Sequence, residues 1–234
     1  MLVAASVLPH PPLLVPEVSV ATPDWLAELR AAVADSVQIL LGTEPDLVVS
    51  IGSASPAGDW DEQAGGTMAA YGVDTTAGGP TIALPLSLTI AARLLDDAGW
   101  PGPRRYVALT NDRDAGRHAD AGARIAASAA RVAVLAMGDG SARRTTEAPG
   151  YFDERSTPFD AAVVAALATA DARALLAMSP AEADDLWVAG LPAWQALAGA
   201  LEPETTVDAA VRYDAAPRGV GYFVVDWTVG SPTL

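Results

Sequence analysis

The chain has 234 residues, with 14 basic against 29 acidic side chains and a formal net charge of −15. Every basic residue is arginine, cysteine is absent, and the only histidines are His10 and His118. These absences exclude a Schiff-base or Walker-type lysine, a thiol nucleophile, a disulfide, a thiolate metal site and any mechanism that needs three imidazoles from one chain.

Hydrophobic residues make up 51% of the chain and charged ones 18%, the composition of a globular protein. A single domain over residues 1–234 is expected at this length. No segment reaches the roughly 20 consecutive apolar residues of a transmembrane helix. The apolar run Leu2–Leu8 has no basic flank and stops at Pro9, unlike a secretory signal, so a cytoplasmic location and no membrane partner are expected. The acidic balance repels polyphosphates. The arginines are scattered apart from Arg104–Arg105 and Arg143–Arg144, so nucleic acid is not an expected partner, and small molecules or proteins are.

In chain order, Leu2–Val7 has the length of a buried strand and enters the proline-dense loop Pro9-His10-Pro11-Pro12. Thr22-Pro23-Asp24 predicts a helix start, and Gly42 its end after Leu41. Asp46–Ile51 predicts a second strand. From Gly52 to Pro80 the chain is rich in Gly, Ala, Thr, Ser and Asp without a helical period, and reads as a long loop with a hairpin near Ala69–Val73. A helix from Ser87 to about Ala98, a strand at Tyr106–Leu109, a helix over Asp114–Ala130 and a strand at Arg131–Met137 follow. After a loop from Gly138 to Pro158, helices are predicted over Phe159–Met178 and Pro180–Leu201, with Ser179 capping the second. Val207–Tyr213 and Gly221–Thr228, around a turn at Pro217–Gly219, predict a terminal antiparallel hairpin. The expected fold class is α/β, with a mostly parallel central sheet flanked by helices. An apolar strand such as Tyr222–Val225 at a sheet edge would allow a homodimer.

Ligands of open α/β sheets bind outside the C-terminal ends of the strands. His10 stands at such an end, between prolines that fix its backbone, and suits a metal ligand or general base; the alternative is a turn histidine bonded to backbone. Gly138-Asp139-Gly140-Ser141 with Arg143-Arg144 could hold an anion; the alternative is a tight turn in which Asp139 accepts its own backbone N–H groups. Asp59, Asp61 and Glu62 form an acidic cluster without EF-hand spacing and read as a solvated loop. Nothing selects a glycosidase carboxylate pair, and no Gly-x-Ser-x-Gly elbow follows a strand. His118 reads as a helix-surface residue, and Trp187, Trp194 and Leu197 as core at helical spacing.

Taken together, Leu8-Pro9-His10-Pro11-Pro12-Leu13-Leu14-Val15-Pro16, the Gly138–Ser141 stretch with Ala148-Pro149-Gly150-Tyr151 and Phe159-Asp160, and Val220-Gly221-Tyr222 resemble the class III extradiol ring-cleavage dioxygenases. The related Memo-like proteins share the opening motif. The resemblance implies Fe(II) held by two histidines and a carboxylate, with a further histidine as acid/base. His10 matches the first metal histidine. The stretch that carries the second reads Ile51-Gly52-Ser53-Ala54-Ser55-Pro56, and the acid/base position is Ala142. Val188-Ala189-Gly190-Leu191-Pro192 lacks the carboxylate, with Glu182, Asp184 and Asp185 a turn or two earlier.

The expectation is therefore a homologue that keeps the fold and pocket without the iron chemistry and binds a small molecule or a protein partner. His10, Ser53, Asp139, Ser141 and Arg143 would line its cleft. Two alternatives stand beside it: a divalent-metal enzyme rebuilt around His10, Asp139 and Asp59 or Asp61, and a structural component of a hetero-oligomer.

Overall fold

The computed structural model describes residues 1–19, 21–111 and 113–230. Strand β1 (Leu2–Leu8) is buried along its whole length because it has a partner on each side: β8 (Val132–Met137), which runs parallel, and β10 (Tyr222–Val229), which runs antiparallel. With β2 (Leu47–Ser53), β3 (Gly58–Trp60), β7 (Arg104–Leu109) and β9 (Val207–Ala215) the sheet has the order β3-β7-β2-β8-β1-β10-β9.

The four central strands β7, β2, β8 and β1 are parallel, and β3, β10 and β9 are antiparallel additions. The sheet is thus mixed, where a mostly parallel one was expected; the short β3 carries no apolar alternation that would announce it. The terminal hairpin forms as expected, but β10 lies inside the sheet, between β1 and β9. Tyr222–Val225 is therefore no edge, which removes the ground on which a homodimer was expected.

Both faces of the sheet are covered, which is why β1, β2 and β8 read as largely apolar runs, with Ser6 and Ser50 the buried exceptions. On one face, Ala4 and Leu8 of β1 pack with Leu29, Val33, Val37 and Leu40 of α1 (Asp24–Leu41) and with Ile90 and Leu95 of α2 (Leu86–Asp97). On the other, Ala5 and Val7 meet α3 (Ala115–Ala126), α4 (Ser156–Ala168), α5 (Ala172–Ala177), α6 (Pro180–Asp185) and α7 (Leu191–Gly199) through residues such as Ile125, Val163, Leu175, Ala183 and Trp194. Among the described residues, no helix is long and apolar enough to cross a membrane.

The stretch expected as a long loop holds β3 and a second, three-stranded sheet: β4 (Ala64–Thr67) between β5 (Thr76–Gly78) and β6 (Thr81–Ile82). A short 3-10 turn at Ala69–Tyr71 replaces the hairpin expected there. Glycine hides this sheet from a reading of hydrophobic pattern, yet packing requires it. A Cβ on Gly66 would lie 1.9 Å from Thr89 Oγ1, so α2 presses directly on the strand backbone.

Each of the two long helices expected after Pro158 is broken. Ala170 takes a φ of +49° between α4 and α5, and Trp187 one of +57° after α6. At the second break the N–H of Trp187 donates to Asp184 O (3.1 Å) and that of Val188 to Ala183 O (2.9 Å), the Schellman pattern of a helix end. Trp194 and Leu197 are core as expected, but Trp187 is 54% exposed. His118 is buried inside the fold and not on a helix surface, because its ring finds Gln195 Oε1 and Thr110 O, each at 2.9 Å.

A candidate site at the strand ends

The ladder of β1 and β8 continues past the strands, with the Gly138 N–H donating to Leu8 O at 2.8 Å. His10 and Asp139, two residues beyond β1 and β8 respectively, therefore meet. Asp139 Oδ1 accepts the His10 backbone N–H at 2.7 Å and stands 3.6 Å from His10 Nδ1. That ring nitrogen is buried and has no hydrogen-bond partner. The two side chains keep 13% and 18% of their exposure, which leaves both open to a small group at the surface.

The loop before α7 closes one side of this pair. Asp139 O accepts the N–H groups of Ala189 (3.2 Å) and Gly190 (3.0 Å), and Ala189 O accepts the Ser53 hydroxyl at 3.0 Å. This contact exists because two glycines touch: a Cβ on Gly138 would fall 2.1 Å from the Gly190 Cα. Ser53 is thus brought to the site, but its hydroxyl hydrogen is committed to a carbonyl. Tyr222 adds a buried phenol. Burial pushes its pKa well up, and the nearby Asp139 carboxylate pushes it further.

Ser141 and Arg143 go elsewhere. Ser141 is fully buried, and its N–H and hydroxyl both donate to Asp160 at 2.8 Å. Arg144 completes that cluster with a 3.0 Å contact to Asp160 Oδ2. Of the two glycines in the Gly-Asp-Gly-Ser stretch, Gly140 serves this packing: a Cβ there would lie 2.7 Å from the Phe223 ring. Asp139 accepts the backbone N–H of His10, a residue of another strand end, and not one of its own turn. Arg143 points outward, its guanidinium 5.6 Å from the centre of the Trp187 ring and 3.7 Å from Asp153 Oδ2.

The remaining acidic candidates do not join His10. Asp59 pairs with Arg105 at the β3–β7 edge, and Asp61 Oδ1 accepts the Gln63 N–H at 3.0 Å. Among the described residues, no three His, Asp or Glu side chains come together as a metal-holding group. Sequence reasoning missed Asp160 as the anchor of the Ser141 loop, although the residue lies in a motif it singled out. It also missed Tyr222 as a neighbour of Asp139, which no local pattern could announce.

No family model matches this chain, and no curated protein does. Among solved structures, an uncharacterized protein of Escherichia coli K12, JW3007, superposes with a TM-score of 0.56 over 96% of this chain and 99% of its own. The fold is shared. At 15% identity, the likeness shows that and no more.

Proposed function

We propose that this chain is a non-catalytic binding homologue of the class III extradiol ring-cleavage dioxygenases, taking a small molecule or a protein partner at the strand ends. The observation that carries this reading is the engagement of the side chains there. Fe(II) of the kind the resemblance implies needs two imidazoles and a carboxylate on one face. The residues present do not fit it: His10 and Asp139 stand together, while both ring nitrogens of His118 are bonded to Gln195 and Thr110. Ser53 donates to Ala189 O and the buried Ser141 to Asp160, and neither adds an imidazole or a carboxylate beside His10 and Asp139.

A second reading keeps a divalent metal on His10 and Asp139, and it is favoured by the buried, unpartnered Nδ1 of His10. One experiment separates the two. Wild type and His10→Ala are loaded anaerobically with Fe(II), Mn(II) or Zn(II), bound metal per chain is measured, and catechols are assayed for ring-opened product. The binding reading expects substoichiometric metal that His10→Ala leaves unchanged, and no product. One metal per chain, lost in His10→Ala, would sink it.

A further inference from the structure

Helices α1 and α2 cover the same face of the sheet, and a cleft of about 210 Å³ opens between them. Its walls are apolar: Val33 and Val37 of α1, Leu94 of α2, and Leu14 from the loop after β1. Arg30 and Gln38 line it too, so α1 presents one continuous stripe at spacings of three and four residues. From Arg30 to Gln38 that stripe is about 12 Å long at the α-helical rise.

The guanidinium of Arg30 is held at one end of the stripe. Nε donates to Leu13 O at 3.2 Å, Nη2 donates to the same oxygen, and Val15 O lies 3.4 Å from Nη2. Those two carbonyls flank Leu14, so the cation stands beside a wall of the cleft.

Carbonyl oxygens accept hydrogen bonds but leave the positive charge without a counter-ion. Among the described residues Arg30 forms no ion pair. The acids at the cleft mouth are already engaged by Arg93, which binds both oxygens of Asp97 at 2.8 and 2.9 Å and Glu17 at 3.0 Å. Nη1 of Arg30 reaches only Thr22 Oγ1, at 3.4 Å, longer than a good hydrogen bond of this kind.

A fixed guanidinium with an under-used nitrogen, at the end of an apolar groove, matches a carboxylate head on an apolar tail. Size narrows the tail. A cavity of about 150 Å³ takes the six carbons of benzene, so this cleft takes roughly eight. A stripe along one helix suits a straight chain better than a ring.

We infer that the cleft between α1 and α2 binds a straight-chain carboxylic acid of about eight carbons, with its carboxylate on Arg30 and its chain along Val33 and Val37. None of these residues belongs to the strand-end site, so the inference stands or falls apart from the function proposed there.

The test is calorimetric titration of the full chain with sodium octanoate, octanol and octylamine. Octanoate should bind once per chain, and about tenfold or more tightly than octanol or octylamine. Ala34 lines the cleft from an exposed position, so Ala34→Phe fills it and should keep the thermal melt of the wild type. That variant should weaken octanoate by about tenfold or more. Arg30→Gln should abolish the preference for octanoate over octanol. No saturable binding of octanoate, equal binding of octanol by the wild type, or octanoate affinity unchanged in Ala34→Phe would each overturn the inference.

Discussion

Asp139 holds the backbone of His10 and not its ring: Oδ1 accepts the His10 N–H at 2.7 Å, while Nδ1 lies 3.6 Å away with no hydrogen-bond partner. A carboxylate from the end of β8 thereby fixes the direction of the chain leaving β1. Replacing Asp139 by Ala leaves that N–H without its acceptor and should destabilise the fold by about 1–3 kcal/mol. Asp139→Asn retains an oxygen and should lose less than half as much. Urea unfolding of both variants checks the difference; equal losses would mean that the charge, and not the acceptor, matters.

Asp160 is a buried carboxylate that accepts from Ser141 twice and from Arg144. Asp160→Ala strands the guanidinium and should cost about 3 kcal/mol or more. Burial raises the Asp160 pKa above the ordinary value of 3.8, against the pull of Ser141 and Arg144. Folding therefore takes up a proton between that value and the raised one. The stability gained from this group is full below 3.8 and is lost as pH rises through the folded value. Wild-type stability relative to Asp160→Asn should accordingly fall as pH rises through this window, as measured by urea unfolding at a series of pH values.

Helices α3 and α7 approach closely enough that a Cβ on Gly122 would stand 1.7 Å from Ala196 O, and one on Gly199 2.2 Å from Ala119 O. A backbone carbonyl cannot yield as a side-chain tip can. Gly122→Ala should destabilise by about 3 kcal/mol, at the upper end of overpacking costs. Gly72→Ala is a control of another kind, since its Cβ meets nothing within 4 Å and only its φ of +81° opposes the change. The ranking of the two thermal midpoints is the check.

Asp226 ties three elements together. Its Oδ1 accepts from Ser36 of α1 and, at 3.4 Å, from Ser6 of β1, and its Oδ2 accepts from Arg212 of β9 at 2.8 Å. Asp226→Ala should cost about 2–4 kcal/mol because it leaves the buried Ser36 hydroxyl without its acceptor and Arg212 without its carboxylate, while Ser6 keeps Ser36 O at 3.3 Å. Arg212→Met, at a half-exposed position, should cost about 1 kcal/mol or less. Equal losses would place the stabilisation in the ion pair and not in the buried hydroxyls.

Tyr222 should ionise late. Its phenol is buried, and the Asp139 carboxylate opposes a second negative charge beside it. Because the folded pKa lies above the ordinary value of 10.0, the group's contribution to stability is full below 10.0 and is lost as pH rises further. An alkaline absorbance titration of Tyr222→Phe should lack a late-ionising component that wild type shows. Asp139→Asn should move that component to lower pH.

The amino-acid sequence by itself determined the frame. β1, β2 and β8 are largely apolar runs, with Ser6 and Ser50 the buried exceptions, because strands covered on both faces bury nearly every position, and length and turn residues then mark their ends. It also singled out His10 through the prolines beside it, and Asp139 through its glycines. Tertiary structure alone decided that these two meet, since that follows from β8 lying beside β1, more than 120 residues apart along the chain. It decided too that Ser141 turns inward to Asp160 while Arg143, two residues on, turns outward to Trp187. The small glycine-rich sheet and the helix breaks at Ala170 and Trp187 left no local signal. Close backbone approach and left-handed conformation are set there by neighbours distant in sequence, and hydrophobic periodicity records only which side chains face a core.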